Sequence, residues 1–209
     1  MNKYKNNFKN IFFISKFLIV IILIFSYQSP VKADYIKDFE IEGMTVGESL
    51  LNYLSKTNIK KKIKSKNSYI YPNNSFATLT YNKSNLNIYD DIGVVINPND
   101  ESYIIHALEG TIYFKEDKCL NKQDQITRDL KDFFKDIKYD FVEYNNLNYI
   151  GDETGESKVT YKDFNFSDGS AIRVICWTLS EKFKSKGHID ALVVAVNSIK
   201  FMNFINNNM

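Results

Sequence analysis

From Tyr69 onward the apolar and aromatic side chains come in short runs parted by turn residues, and a chain written that way has few ways to bury them other than in a sheet. The runs cover 69–71, 76–81, 86–89, 93–96, 103–108 and 111–114, then 140–144, 159–166, 171–179 and 189–197. Between them, Asn97-Pro98-Asn99-Asp100 and Ser167-Asp168-Gly169-Ser170 have the composition of tight turns, and Glu109-Gly110 reads as a bulge or a further turn. Strands joined this closely pair antiparallel, so a meander of hairpins is the economical topology.

Helical spacing interrupts the strand pattern. Thr45-Val46-Gly47-Glu48 has the Thr-x-x-Glu spacing of a capping box and predicts a helix opening there, with Leu50, Leu51 and Leu54 on one face. A second helical piece from Thr57 sets Ile59 and Ile63 among Lys60, Lys61, Lys62, Lys64 and Lys66. Gln123 to Lys135 puts Ile126, Leu130, Phe133 and Phe134 on one side and charged residues on the other. A last helix from Ser198 would bury Phe201, Met202, Phe204 and Ile205. Helix, strands, helix, strands, helix predicts an α+β domain, an antiparallel sheet with helices packed on it. The two helix-then-strands halves have the layout of distant copies.

What precedes this domain reads as an address. Lys3, Lys5, Lys9 and Lys16 stand before Phe17–Phe25, nine apolar residues that would extend about 13 Å as a helix, well short of the roughly 30 Å of a bilayer core. Pro30 then breaks the segment, and Val31-Lys32-Ala33 offers the small residues that a signal peptidase accepts. Residues 1–33 are therefore expected to be a signal peptide, cut between Ala33 and Asp34, and residues 34–209 a single exported domain. The competing reading is an uncleaved anchor with Lys16 at the interface.

Export changes how the composition reads. Five of the 27 basic residues lie in residues 1–33, which hold no acid, so residues 34–209 carry 22 basic against 25 acidic side chains. A near-neutral domain gives no support for nucleic-acid binding, and membrane contact is expected only through an uncleaved signal. The two cysteines, Cys119 and Cys176, both lie in the exported part, where thiols are oxidised, and a Cys119–Cys176 disulfide is the simplest reading. Two separate buried thiols are the alternative.

Asp38-Phe39-Glu40-Ile41-Glu42-Gly43-Met44 with Gly47 and Ser49-Leu50-Leu51, Lys118-Cys119 before the central helix, Asp152 to Lys158, and Cys176-Trp177 with Ser180 together resemble a group of small exported proteins from AT-rich marine alphaproteobacteria of the Pelagibacter type. The resemblance covers most of residues 34–209. It implies an α+β fold and export, and it implies no reaction, since the group has no assigned chemistry.

Several constellations invite a chemical reading. Gly151 to Lys158 looks like a phosphate loop, but Glu156 stands where that loop needs its lysine. An exposed acidic turn explains it better, and Asp152 and Glu153 are left as weak oxygen ligands for a small ligand or hard cation. Asp163 to Gly169 resembles the start of a calcium loop with its glycine one place late, and Val174 stands where the bidentate Glu belongs. His188 and Asp190, two apart on an expected strand, would share a face and could act as an acid–base pair, with His106 elsewhere on the sheet. Trp177, on the face opposite Cys176, could join Tyr69, Tyr71, Tyr81 and Tyr89 in an aromatic surface for a sugar or peptide. The five lysines from 60 to 66 read as a solvated helix face.

These residues single out no catalytic set, no metal site and no cofactor. The expectation is an exported periplasmic domain that binds an envelope protein or a small ligand without catalysis. A periplasmic hydrolase-type enzyme using scattered acids with His188, or an envelope protein tethered by residues 1–33, remain the alternatives.

Overall fold

A computed structural model describes residues 35–81, 86–114 and 118–208. The expected cleavage point between Ala33 and Asp34, and the signal before it, lie outside the described residues. The domain opens with a two-stranded hairpin, β1 (Glu40–Ile41) and β2 (Met44–Thr45). Its turn residues Glu42 and Gly43 both take positive φ, 52° and 78°, as a two-residue turn of the mirror-image type requires. A 3-10 turn at Leu50–Asn52 and helix α1 (Lys56–Ile63) follow. Then come β3 (Tyr69–Ile70), β4 (Ala77–Tyr81), β5 (Asp91–Ile96) and β6 (Ile105–Phe114).

The second half repeats this layout. Helix α2 (Cys119–Phe133) precedes β7 (Tyr139–Asn148), β8 (Lys158–Phe166), β9 (Ala171–Thr178), a short helix α3 (Glu181–Lys184) and β10 (Asp190–Asn197), and helix α4 (Ile199–Asn208) ends the domain. The eight longer-range strands form one antiparallel sheet in the order β3-β4-β5-β6-β10-β9-β8-β7. Each half thus supplies a helix and a four-strand meander, and the last strand of each pairs with the other at the centre of the sheet. This is the α+β architecture expected. Among the described residues no helix is long and apolar enough to cross a membrane.

One sheet face carries the main core. Leu108, Val94, Val194, Val174, Ile172 and Phe164 line it, and α2 and the N-terminal hairpin cover it. The disulfide joins Cys119 at the start of α2 to Cys176 on β9, with Cα atoms 5.8 Å apart. A cluster of rings, Phe134, Tyr139, Phe164 and Phe166, fills the end of that layer. The opposite face is covered at one end only by α4, where Phe201 packs on Phe76, Val95 and Ala107.

Several local expectations fail for identifiable reasons. Thr45 caps no helix: it belongs to β2, while the Glu48 carboxylate accepts from the Tyr53 hydroxyl at 2.5 Å. The caps are Ser49 on the 3-10 turn and Ser55 on α1. The run 86–89 is not a strand, because the Glu42 carboxylate accepts hydrogen bonds from the amides of Asn87, Ile88 and Tyr89 that a ladder would need. Glu109-Gly110 is no turn either, since β6 runs through it. Gly110 is small because the Tyr89 ring lies against its Cα, and a Cβ there would sit 2.5 Å from ring carbons.

Helix α2 begins four residues earlier than expected and is rotated. It buries Cys119, Gln123, Thr127 and Leu130, and leaves Phe133 60% exposed. Polar residues line that face because their donors are used: Gln123 Nε2 donates to Thr160 O at 2.9 Å and Val174 O at 2.8 Å, and Thr127 Oγ1 donates to Gln123 O at 2.7 Å, while Gln123 Oε1 is buried with no partner among the described residues. Gln123→Leu removes two buried bonds at roughly constant volume. Urea unfolding is expected to show a loss of about 1–2 kcal/mol, and unchanged stability would mean these bonds contribute nothing net.

Candidate functional site

Alternation along β6 sends Glu109, Thr111 and Tyr113 to the face away from the main core. Register then sets Thr111 opposite Val193 and Tyr113 opposite Ala191 on β10, and Ala191 in turn opposite Trp177 on β9. Small residues at the centre and rings at the flanks make a trough. Two further rings come from outside the ladder. Tyr149, beyond the end of β7, meets Trp177 edge to face at 5.0 Å, and Phe183 of α3 lies 6.0 Å from Tyr149. His188 leans on Phe183 at 5.3 Å. Together with Leu179 and Ile189 these residues enclose a groove of about 280 Å³.

The groove has few polar handles. Trp177 Nε1 is shielded from solvent and has no hydrogen-bond partner among the described residues. The Tyr113 hydroxyl donates to Asp91 Oδ2 at 2.9 Å, and this carboxylate, with burial as the larger cause, pushes the phenol up to about 12. Tyr113 is therefore a neutral donor at any ordinary pH.

The anticipated site residues fall into two groups. Trp177 and His188 line the groove. Asp190 does not face it as a free acid: it is buried, and accepts from Leu179 N at 2.8 Å and from Lys184 Nζ at 3.1 Å. The strand begins only at Asp190, after a turn through Gly187 at φ 89°, so the rule that residues two apart share a face does not extend to His188. His106 lies near α4 instead, its ring 5.2 Å from Phe76.

Asp152 is consumed by its own loop. Its Oδ1 accepts from Thr154 N and Oγ1, and Oδ2 from Ser157 N and Oγ at 3.0 and 2.5 Å. The side-chain hydroxyls of Ser157 and Thr154 hold its carboxyl well below the usual carboxylate range. Glu153 beside it is exposed. Asp163 pairs with Arg173, and Asp168 caps its own turn through Ser170. Among the described residues no three His, Cys, Asp or Glu side chains converge on a metal-sized site.

The tyrosines expected beside Trp177 are elsewhere. Tyr69 and Tyr71 pack together at 4.7 Å and Tyr71 against Phe201 of α4, while Tyr81 and Tyr89 lie on the main core. Trp177's actual neighbours, Tyr113, Tyr149 and Phe183, carried only one signal in the sequence, the alternation that puts Thr111 and Tyr113 on one face. A second cavity of about 390 Å³ lies between α1 and β4, but Lys62 on its wall already donates to Thr80 O at 2.7 Å.

No family model, curated protein or solved structure matches the chain.

Proposed function

We propose that this chain is an exported, non-catalytic binding domain of the periplasm that takes a small ligand in the aromatic groove, and that it groups with the small exported proteins it resembles. The observation that carries this reading is the gathering of Trp177, Tyr149, Phe183 and Tyr113 around an apolar floor left uncovered by the helices. Apolar surface of this kind gains about 25 cal/mol per Å² when a ligand covers it, and rings standing edge to face select flat or ring-shaped occupants.

Of the groups suited to acid–base work, Asp190 is engaged by Lys184 and Leu179, Asp152 inside its own loop and His106 among rings, so His188 lines the groove without Asp190 as its acid partner. That favours binding over hydrolysis. The Cys119–Cys176 disulfide supports residence in an oxidising compartment.

Trp177 is the one tryptophan of the chain, so its emission reports on the groove alone. Titration with 2-phenylethanol is expected to give a saturable emission change with a roughly millimolar Kd, as suits a fragment-sized ligand. Tyr149→Ala should weaken it strongly. A response that never saturates, or one that Tyr149→Ala leaves intact, would remove the groove as the working surface.

A further inference from the structure

The two edges of the sheet are unequal. β3 at one edge is two residues long, whereas β7 at the other runs for ten, and among the described residues no strand pairs with its outer side. A strand so placed offers a row of free amides and carbonyls to another chain. Its second half is broken as a template, because the register with β8 shifts between Tyr144 and Leu147 and Asn146 takes φ 52°. The stretch Tyr139–Tyr144 stays regular. The groove lies past the other end of β7, at Tyr149.

Side chains alternate along the regular stretch. Tyr139, Phe141 and Glu143 take the face that α2 covers, where the two rings pack on the core and Glu143 meets Lys162. Asp140, Val142 and Tyr144 take the open face. Above Phe141 stands Lys131 of α2, its Nζ 3.7 Å from the ring centroid, and among the described residues this lysine is in no ion pair. Glu143 is the looser of two carboxylates on Lys162, at 3.5 Å, while Asp124 lies closer. One face of the edge therefore presents an unpaired cation over residue 141 and a loosely held acid at residue 143.

We propose that β7 is a docking edge for a second copy of this chain, the two Tyr139–Tyr144 stretches pairing antiparallel about a twofold axis so that the two sheets run on as one. Residues directly opposite each other share a face, so the axis must set one residue against its own copy. Asp140 or Glu143 there would put like charges face to face, and Phe141 there would bring the two Lys131 ammonium groups together. Val142 is the remaining choice. It places Phe141 opposite the partner's Glu143, whose carboxylate then reaches Lys131, and Asp140 opposite the partner's Tyr144. Each contact occurs twice. An edge this short lies below the standard size of a stable interface, so the pairing depends on concentration.

Sedimentation velocity of the full chain, from low micromolar to several hundred micromolar, is expected to show monomer passing to dimer. Val142→Lys sets two ammonium groups face to face at the axis and should leave monomer throughout. Glu143→Lys and Lys131→Glu should each weaken dimerisation by about tenfold or more, since each opposes like charges at both symmetry-related contacts. The two changes together should restore it to near the wild-type level. Far-UV circular dichroism and urea unfolding check that the variants are folded, and Lys131→Glu, on an exposed helix position, carries the test if Glu143→Lys is not.

Monomer at every concentration would overturn the proposal. A dimer untouched by Val142→Lys would show that another surface holds the copies together, and would overturn it equally. A dimer lost with Val142→Lys but indifferent to both charge reversals would overturn the register and the pairing of Glu143 with Lys131.

Discussion

Replacing both Cys119 and Cys176 by alanine is expected to lower the unfolding free energy by about 4 kcal/mol, the largest effect of any change considered for this domain. The bridge spans 57 positions. Without it the unfolded chain regains the freedom of a long loop that includes α2, β7 and β8. In the folded state it staples the first turn of α2 to the middle of the sheet, close to where Gln123 makes its buried bonds. Urea unfolding of the oxidised wild type against the double variant measures the difference. A thiol count on unreduced, denatured protein should find no reactive thiol; two per chain would remove both the bridge and its contribution.

The second large effect is a loss of stability in mild acid. His106 is 7% exposed, its Nε2 has no partner among the described residues, and its ring packs against Phe76. Burial, reinforced by the nearby Lys200 charge and opposed by Asp100, lowers its pKa to about 4. In the unfolded chain the imidazole titrates near 6.5. Between those values the unfolded chain takes up a proton that the folded one refuses, so unfolding is favoured as pH falls.

The contribution of neutral His106 is intact above about pH 6.5 and is lost progressively down to about pH 4, roughly 3 kcal/mol in all. Glu109 acts with the opposite sign: its raised carboxyl makes the fold relatively more stable as pH falls, which partly masks the trend. Comparing wild type with His106→Gln at pH 7, 5.5 and 4.5 cancels that background. The stability gap should move in the variant's favour as pH drops, and a gap independent of pH would mean His106 is not held neutral by its surroundings.

Much of the architecture was legible in the sequence because period-two runs admit little besides strands. The turns at Asn97–Asp100 and Ser167–Ser170 stand between strands, and Asp168 and Gly169 supply the side-chain acceptor and the positive φ their turn needs. The errors came where a distant side chain rewrote a local preference. Glu42 took the amides of residues 87–89, Tyr89 lay down on Gly110, and Gln123 found two carbonyls inside the core.

The site followed the same division. Trp177 was placed on the face away from Cys176 by alternation alone, and the structure keeps them on opposite faces. Its partners were not legible, since Tyr113, Tyr149 and Phe183 lie 64, 28 and 6 positions away along the chain and reach the groove from different elements, Tyr113 across β10, Tyr149 from beyond the end of β7 and Phe183 from α3. Asp190 and Asp152 looked available for chemistry because a sequence does not display the amides and hydroxyls that occupy them.

By itself the sequence determined what depends on neighbours along the chain: strand and helix periods, the tight turns, the number of cysteines, and which face of a strand a residue takes. Tertiary structure alone decided the strand order, with the two meanders joined at β6 and β10, and from that order came the groove and the face that α2 buries. The physical reason is that alternation is enforced by the geometry of each residue's own backbone, whereas lateral register is chosen by the sum of many weak contacts across the sheet.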